Sequence, residues 1–241
     1  MISVCMATFN GNKYITLQLE SILMQLNEGD EIVVVDDAST DETVQLIKNI
    51  QDSRIKLLEN MQNMGVIPSF SRSIYLARGE VIFLSDQDDI WLPNKVKEVM
   101  NVFAKKMDTT LCLSDAKIID RTGNIRKNTY FQIRGKFTPS LFQNIIKNKF
   151  LGCSISFKSS MKEHILPFPK NIPAHDMWIG IMNVIYGKVV YIDKPLFLYR
   201  RHSENVTSMS HAKIHTILKW RLVLVYRLLQ NTAQRVVQIN K

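Results

Sequence analysis

The stretch from residue 81 to residue 95, which reads VIFLSDQDDIWLPNK, constrains the fold of this chain more than any other. It begins with four apolar residues, 81–84, that do not alternate with polar ones. Such a run is typical of a strand buried on both faces, as in a parallel sheet. Three carboxylates, Asp86, Asp88 and Asp89, follow at once. Open α/β sheets bind ligands beyond the carboxyl ends of their strands, so we expect a ligand here.

Three acids within four residues repel each other, and a bound cation would relieve that repulsion. Aspartate oxygens suit Mg²⁺ or Mn²⁺, so the spacing predicts a site for one of these ions. A calcium EF-hand loop starting at Asp86 is excluded, because Trp91 and Lys97 stand where it needs Gly and Glu. An aspartyl-phosphate phosphatase is disfavoured, because Ala38 stands two residues after Asp36, where a second acid is needed. A solvated acidic turn stays open as the alternative.

Strand and helix patterns alternate along the first half of the chain. Buried strands are expected at residues 2–6, 31–35, 54–58, 81–84 and 111–114. After the first of them, Ile15, Leu19 and Ile22 recur at the spacing of an amphipathic helix. Ser39 and Glu42 have capping-box spacing, which predicts that Ser39 caps the second helix. The repeated βα pattern predicts an α/β fold with a Rossmann-like, mostly parallel central sheet and helices on both faces.

The second half of the chain is less regular. Helices are expected at residues 138–148 and 177–186, and strands at residues 152–157, 188–192 and 196–200. Pro167, Pro169 and Pro173 predict a loop before His175. We expect one domain over residues 1–207 and a C-terminal helical tail over residues 208–241.

The tail has the pattern of a basic amphipathic helix. After Glu204 the chain has no acid and six basic residues, Lys213, Lys219, Arg221, Arg227, Arg235 and Lys241. They flank a broad apolar face that includes Ile214, Ile217, Leu218, Leu222, Val225, Leu228 and Leu229. A helix of this kind can lie on an anionic membrane surface. Packing on the domain, or on a second copy in a homo-oligomer, is the alternative.

Composition excludes several classes of protein. Hydrophobic residues make up 46% of the 241 residues, which excludes a disordered chain. Cys5, Cys112 and Cys153 are far apart and lack metal-ligand spacing, so we expect buried thiols in a reducing compartment. No signal-peptide pattern and no uncharged apolar run of about 20 residues occurs, which predicts a cytoplasmic protein. The net charge of +9 lies mainly in the tail, and no aromatic-and-basic strip occurs, so no nucleic acid partner is expected.

Seven short pieces of the chain together resemble a known family. They are SVCMATFNG, EIVVVDDASTDET, NMGV, ARGEVIFLSDQDDIWLPNK, FLGCSISF, AHDMWIG and DKPLFLYRRHSENVT. In this order they are similar to the family-two glycosyltransferases of the GT-A fold. The resemblance is to the bacterial polysaccharide, rhamnosyltransferase-like subgroup with an Asp-Gln-Asp-Asp-Ile-Trp motif, and it extends over residues 2–207. It implies the GT-A fold for this chain.

The resemblance also implies roles for individual residues. Phe9 matches the aromatic residue that packs on the donor's base, Asp37 the acid that hydrogen-bonds this base, and Asp36 supports the same loop. Asp86 matches an acid that meets the donor's ribose and its metal. The implied ligands of Mg²⁺ or Mn²⁺ are Asp86, Asp88 and His202. Asp176 matches the catalytic base, and the residues implied on the acceptor side are Gly152, Cys153 and His175.

The implied activity is inverting transfer of a sugar from a nucleoside diphosphate sugar to an acceptor hydroxyl, in bacterial surface polysaccharide biosynthesis. The acceptor is expected to be a saccharide or a lipid-linked saccharide, at the inner face of the cell membrane. A catalytically inactive sugar-nucleotide-binding module is the alternative, although Asp176 and the metal acids are present. A sugar nucleotidylyltransferase would need a Gly-rich loop with Arg and Lys after the first strand, and ATFNGNKY is not such a loop. No GxGxxG or GxxxxGK[ST] motif points to another nucleotide-binding class.

Overall fold

A computed structural model of the chain describes residues 1–202, 218–228 and 230. In this part of the chain the strands are β1 (Ile2–Thr8), β2 (Glu31–Asp36), β3 (Ile55–Glu59), β4 (Val81–Ser85), β5 (Ile90–Trp91), β6 (Leu111–Ile119), β7 (Ile125–Lys127), β8 (Ile155–Lys158) and β9 (Val189–Arg200). The α-helices are α1 (Ile15–Leu23), α2 (Thr43–Asn49), α3 (Val66–Leu76), α4 (Lys95–Lys105), α5 (Phe131–Arg134), α6 (Leu141–Ile146), α7 (Lys162–Ile165) and α8 (His175–Tyr186). Residues 218–228 form a further helix, called here the C-terminal helix.

All the strands belong to one sheet, in the order β3-β2-β1-β4-β8-β6-β9-β5, with β7 beside β6. Strands β1 to β4 run parallel, and their register pairs Thr8 with Asp36 and Met6 with Ser85. The carboxyl ends of β1, β2 and β4 therefore meet at one edge of the sheet. The Rossmann-like α/β prediction is confirmed, and Asp37 and Asp86 follow β2 and β4, the two strands that flank β1.

Beyond β4 the sheet becomes mixed. Strand β8 runs antiparallel to both of its neighbours, β4 and β6. Strand β5 follows β4 by four residues along the chain, yet it pairs with β9 at the far end of the strand order. The acidic loop, residues 86–89, therefore connects the centre of the sheet to β9 and brings the end of β9 next to these carboxylates.

Apolar side chains pack on both faces of the sheet. Successive residues of a strand point to opposite faces, and β4 shows this alternation. Val81 and Phe83 lie in a cluster with residues of α1 and α4, which are Ile15, Leu19, Ile22, Val99 and Phe103. Ile82 and Leu84 lie in a second cluster with residues of α3 and α8, which are Phe70, Ile74, Trp178 and Ile181. The prediction that helices cover both faces is confirmed.

Four sequence predictions need correction. Ser39 does not cap α2, which begins at Thr43, because its hydroxyl donates to Oδ2 of Asp36 at 2.5 Å. The strand expected at residues 152–157 starts as a 3₁₀ turn over Gly152–Ser154 and becomes extended only in β8. The helix expected at residues 138–148 is shorter and forms α6. The two strands expected at residues 188–192 and 196–200 are one strand, β9, whose register with β6 shifts after Ser114.

The C-terminal helix packs on the domain along one face. Leu224 is fully buried in the cluster that contains α8, and Nη2 of Arg221 donates to the carbonyl of Ile146 at 3.2 Å. None of the helices in the described residues is long and apolar enough to cross a membrane. The predicted boundary between residues 207 and 208 lies outside the described residues. So do Lys213, Ile214, Ile217, Leu229, Arg235 and Lys241 of the predicted tail.

Candidate functional site

The loops after β1 and β2 are joined by polar contacts. The Asp36 carboxylate is buried and accepts hydrogen bonds from the Ser39 N–H (2.9 Å) and hydroxyl (2.5 Å). The Ser39 oxygen in turn accepts from the N–H of Asn10 at 2.9 Å. These contacts fix the backbone beside Phe9, whose side chain remains 42% exposed. An exposed aromatic ring on a fixed loop offers a surface on which a planar base can stack.

Asp37 is buried and holds the loop that follows β3. One carboxylate oxygen accepts from Nδ2 of Asn60 at 2.7 Å and from the N–H of Met64 at 2.8 Å. The other accepts from the N–H of Gly65 at 2.7 Å. The carboxylate thus fixes the entry to α3. Contact with a donor base is a separate role, and it stays a prediction.

The acidic loop after β4 holds its carboxylates close together. Burial, and then the charge of Asp88, raise the pKa of Asp86 to about 7. Burial also raises the pKa of Asp88, although the neighbouring His202 opposes this shift. Nε2 of His202 lies 2.9 Å from Oδ2 of Asp88. The fold therefore brings His202 into contact with Asp88, and Asp86 is an electrostatic neighbour of Asp88.

Asp89 faces inward from the same loop and is buried. Its Oδ1 accepts from the backbone N–H of Arg200 at 2.9 Å, and its Oδ2 has no hydrogen-bond partner among the described residues. Asp86, Asp89 and Cys153 each offer a possible ligand atom, and these atoms lie within 4.8 Å of one another. Burial, followed by repulsion from Asp88 and Asp86, raises the pKa of Asp89 well above its usual range.

These residues fit a hard divalent cation. Carboxylate oxygens are the ligands that Mg²⁺ and Mn²⁺ prefer, and the site offers them from Asp86 and Asp88, with the His202 ring beside them. The raised pKa values of both acids show that each carboxylate is disfavoured by its surroundings. A cation would favour the ionised forms, so the donor set suits the predicted ion.

Asp176 approaches the same region from the first turn of α8. Its Oδ1 accepts from the N–H of Met177 at 2.6 Å, and its charge helps to raise the pKa of Asp86, so the two carboxylates are electrostatic neighbours. Desolvation raises the pKa of Asp176 to about 6, although hydrogen bonds from Met177, Gly152 and Asn148 oppose the shift. A carboxylate with this pKa is mostly ionised at neutral pH, so it can accept a proton.

His175 and Gly152 form the wall beside Asp176. The His175 ring stacks on Phe70 with centroids 4.1 Å apart, and burial lowers its pKa to about 4. Its Nε2 is buried and has no hydrogen-bond partner among the described residues. A Cβ atom at Gly152 would lie 3.1 Å from this Nε2, so glycine leaves room for the ring. A neutral imidazole can offer a donor or an acceptor to a hydroxyl group here.

The chain matches the family model described as Glycosyl transferase family 2 over residues 3–165. The chain belongs to this family. The match covers more than half of the 241 residues and includes β1 to β4, the acidic loop and Cys153. The predicted membership of the family-two glycosyltransferases is confirmed.

A curated relative with a named activity is the Escherichia coli protein UDP-Glc:alpha-D-GlcNAc-diphosphoundecaprenol beta-1,3-glucosyltransferase WfgD. It is 29% identical to this chain over 188 residues, which are 76% of this chain and 70% of the relative. This family 2 chain is therefore similar to a glucosyltransferase over most of its own length. It spans about two thirds of that relative.

Two solved structures have the same fold. S. aureus TarS, residues 1–349 in complex with UDP-GlcNAc, has a TM-score of 0.72 and 19% identity, over 92% of this chain and 65% of that one. The mannosyltransferase PcManGT from Pyrobaculum calidifontis, in complex with GDP-Man and Mn²⁺, has a TM-score of 0.59 and 17% identity, over 98% and 64% of the two chains. The predicted GT-A fold is confirmed.

Two cationic side chains behind the acidic loop were not predicted from the sequence. Nε of Arg200 donates to the carbonyl of Asp88 at 2.7 Å, and its guanidinium lies 4.5 Å from the Tyr14 ring centroid. Lys95 is fully buried, and its Nζ donates to the carbonyl of Cys153 at 2.8 Å. Burial lowers the pKa of Lys95 to about 8. A signal for Lys95 was present, because it lies four and eight residues before Val99 and Phe103, on the buried face of α4.

The thiol of Cys153 is buried beside the acidic loop, near Asp86 and Asp89. Burial, and then the charges of Asp89 and Asp86, raise its pKa well above the usual range. The thiol therefore stays protonated and is a poor nucleophile. All three cysteines are buried and free, as the sequence predicted.

A separate open cavity of about 460 Å³ lies at the opposite ends of the strands, beside Asp30 and Arg54. Its buried acid, Glu31, pairs with Lys56 and Arg78. These two cations compensate the charge of Glu31, which explains why a buried glutamate is tolerated there. The candidate site residues Asp37, Asp86 and Asp88 lie at the other, carboxyl edge of the sheet.

Proposed function

We propose that this family 2 chain transfers a sugar, with inversion, from a nucleoside diphosphate sugar to an acceptor hydroxyl. One observation carries the proposal. The ionisable Asp176, on α8, is an electrostatic neighbour of Asp86, which belongs to the carboxylate pair that suits a metal-bound diphosphate. A base and a leaving-group site at one edge of a sheet are the two groups that such a displacement needs.

The donor would extend from the loop after β1 to the acidic loop after β4. Phe9 would stack on the base, and Asp37, through the loop it holds, would shape the edge of the base pocket. Asp86, Asp88 and His202 would hold Mg²⁺ or Mn²⁺. A bound cation would supply positive charge against the negative charge that collects on the departing diphosphate.

The acceptor would lie against α8. Asp176 would take the proton of the attacking hydroxyl, and a correctly placed base of this kind contributes roughly 10²–10⁴-fold to the rate. The neutral His175 ring would line the acceptor side next to Asp176. Gly152 and Cys153 would line the same side. Attack from the face opposite the diphosphate inverts the anomeric centre.

The named relatives indicate which classes of donor and acceptor to test. The glucosyltransferase relative is named for a UDP-Glc donor and a diphosphoundecaprenol-linked acceptor, and TarS was crystallised with UDP-GlcNAc. We therefore propose a UDP-sugar donor and a lipid-linked saccharide acceptor, in bacterial polysaccharide synthesis. A panel of UDP-, GDP- and dTDP-sugars, assayed with Mn²⁺ for release of the nucleoside diphosphate, tests this. Transfer of a sugar with inverted configuration supports the proposal, and a full-length protein that turns over no sugar nucleotide with any acceptor contradicts it.

A lipid-linked acceptor would hold the reaction at the inner face of the cell membrane. The C-terminal helix turns Leu224 toward the domain and leaves Leu218 and Leu222 exposed, at 58% and 72%. Lys219 and Arg227 lie on the same helix, and each basic residue near an anionic surface contributes about 1 kcal/mol to binding. We propose that this exposed face lies on anionic lipid.

Because Leu224 is part of the core, point substitutions test membrane contact better than deletion of the tail. Changing both Leu218 and Leu222 to Gln should weaken flotation with vesicles that contain anionic lipid by about tenfold, and salt should weaken it as well. Met61→Gln, at a fully exposed residue far along the chain, is the control. If the double variant floats like the wild type, the membrane proposal is wrong. If it instead changes the sedimentation coefficient, the face is an interface with a second copy.

A further inference from the structure

Gln87 stands between the two carboxylates Asp86 and Asp88, and its side chain turns back to the end of β1. Its Oε1 accepts from the hydroxyl of Thr8 at 2.5 Å and from the N–H of Phe9 at 2.9 Å. Its Nε2 donates to the carbonyl of Phe9 at 3.1 Å. One amide thus binds both backbone polar groups of Phe9, across 78 residues of sequence.

The neighbouring glycine leaves space for this amide. A Cβ atom at Gly11 would lie 2.5 Å from Oε1 and 2.7 Å from Cδ of Gln87, which is closer than atoms can approach. Any larger residue at this position would displace the Gln87 side chain. Two features of the chain, the amide at position 87 and the absence of a side chain at position 11, are therefore needed for the same contact.

We propose that Gln87 is a positioning residue, which fixes Phe9 relative to the acidic loop so that both ends of one nucleoside diphosphate fit together. This inference rests on the proposed function, in which Phe9 stacks on the base while Asp86 and Asp88 meet the metal on the diphosphate. An amide can accept from the Phe9 N–H through its oxygen and donate to the Phe9 carbonyl through its nitrogen at the same time. A carboxylate cannot donate, and an aliphatic side chain can do neither.

The contact between Gln87 and Phe9 reduces the conformational entropy that Phe9 loses when a base binds. Phe9 lies at the exposed end of β1, and a ring that must be ordered on binding weakens affinity. With the backbone of Phe9 already held, the ring is presented at a fixed distance from the carboxylates. Loss of the clamp should therefore weaken nucleotide binding through Phe9 and leave the acidic ligands in place.

Calorimetric titration of the full-length protein with UDP, in the presence of Mn²⁺, tests the inference. Gln87→Met keeps the length of the side chain, removes all three hydrogen bonds and should weaken UDP binding about 5- to 10-fold. Gly11→Ala should have the same effect while leaving Gln87 itself unchanged. Gln45→Met, on the exposed face of α2, is the matched control and should bind UDP like the wild type.

A double-mutant cycle with Phe9→Ala separates positioning from a general structural role. If Gln87 acts through Phe9, Gln87→Met should weaken UDP binding less than twofold in the Phe9→Ala background. An equal loss in both backgrounds, or wild-type affinity in both Gln87→Met and Gly11→Ala, would overturn the inference and leave the proposed function standing. A wild-type protein that binds none of UDP, GDP and dTDP in the presence of Mn²⁺ would overturn both.

Discussion

Nε2 of His202 lies 2.9 Å from Oδ2 of Asp88, although 114 residues separate them in the sequence. The His202 ring also lies 5.3 Å from the ring of Tyr14, measured between centroids. The contact exists because β5 leaves the acidic loop and pairs with β9, which ends just before His202. It places an imidazole beside the Asp88 carboxylate at the carboxyl edge of the sheet.

His202 should therefore contribute to metal binding. His202→Ala removes one of the three groups proposed to hold the cation, and we expect the affinity of the UDP-bound protein for Mn²⁺ to fall about tenfold or more. Titration of free Mn²⁺ by electron paramagnetic resonance measures this affinity. His164→Ala is the control, because that ring stacks on Tyr186 and lies outside the site. Unchanged Mn²⁺ affinity in His202→Ala would remove His202 from the ligand set.

Asp176 should be needed for the chemical step and not for donor binding. Asp176→Asn keeps the size of the side chain but removes the base, so kcat should fall about 10²-fold or more. UDP and Mn²⁺ affinity should change less than threefold. Asp108→Asn, at an exposed acid paired with Lys188, is the control. Near-normal kcat in Asp176→Asn, where chemistry limits the rate, would place the base elsewhere.

The rate should depend on pH through the same carboxylate. Desolvation raises the pKa of Asp176 to about 6, and only the ionised form can accept a proton. The value of kcat should therefore fall as pH drops through about 6 and be level above it. Assays at saturating Mn²⁺ are needed, because Asp86, whose pKa is about 7 without a cation, must stay ionised to bind metal. A profile that is flat from pH 8 to pH 5 would be inconsistent with this base.

Asp37 should affect both stability and nucleotide binding. Asp37→Ala leaves the N–H groups of Met64 and Gly65 and the amide of Asn60 without their acceptor. We expect the free energy of unfolding to fall by about 2–4 kcal/mol, as measured by urea denaturation. UDP affinity should fall as well when it is measured without urea, where the variant is still folded. Asp193→Ala, at an exposed acid, should change neither quantity, and wild-type stability in Asp37→Ala would contradict the structural role.

The first half of the fold could be predicted from the sequence because its signals are local. The strands β1 to β4 follow from apolar runs, and their ends agree within about two residues; the helix α1 follows from helical spacing. The second half was harder, because short elements such as β5 and β7 are defined by their partners and not by periodicity. The sequence predicted two strands separated at Asp193 and Lys194, where the structure has the single strand β9. A shift in the register between β6 and β9 lets the strand continue through these polar residues, and the sequence does not show such a shift.

The candidate site also combines residues that have a local sequence signal with residues whose roles depend on distant partners. The acids of the strand ends could be found from their spacing and from the family resemblance. The roles of Gln87 and Arg200 could not, because each depends on a hydrogen bond to a residue about 80 to 110 positions away. The capping-box pattern at Ser39 was misleading for a related reason. The Ser39 hydroxyl donates to Asp36 and accepts from the N–H of Asn10, so it does not cap α2.

The central claim is that Asp86 and Asp88 bind a nucleoside diphosphate through a divalent cation. Calorimetric titration of the wild type with UDP, in Mn²⁺ and then in EDTA, tests it most directly, with Asp88→Asn as the paired variant. We predict that UDP binds in Mn²⁺, and that its affinity falls at least tenfold in EDTA and in the variant. Equal UDP affinity under all three conditions would contradict the claim.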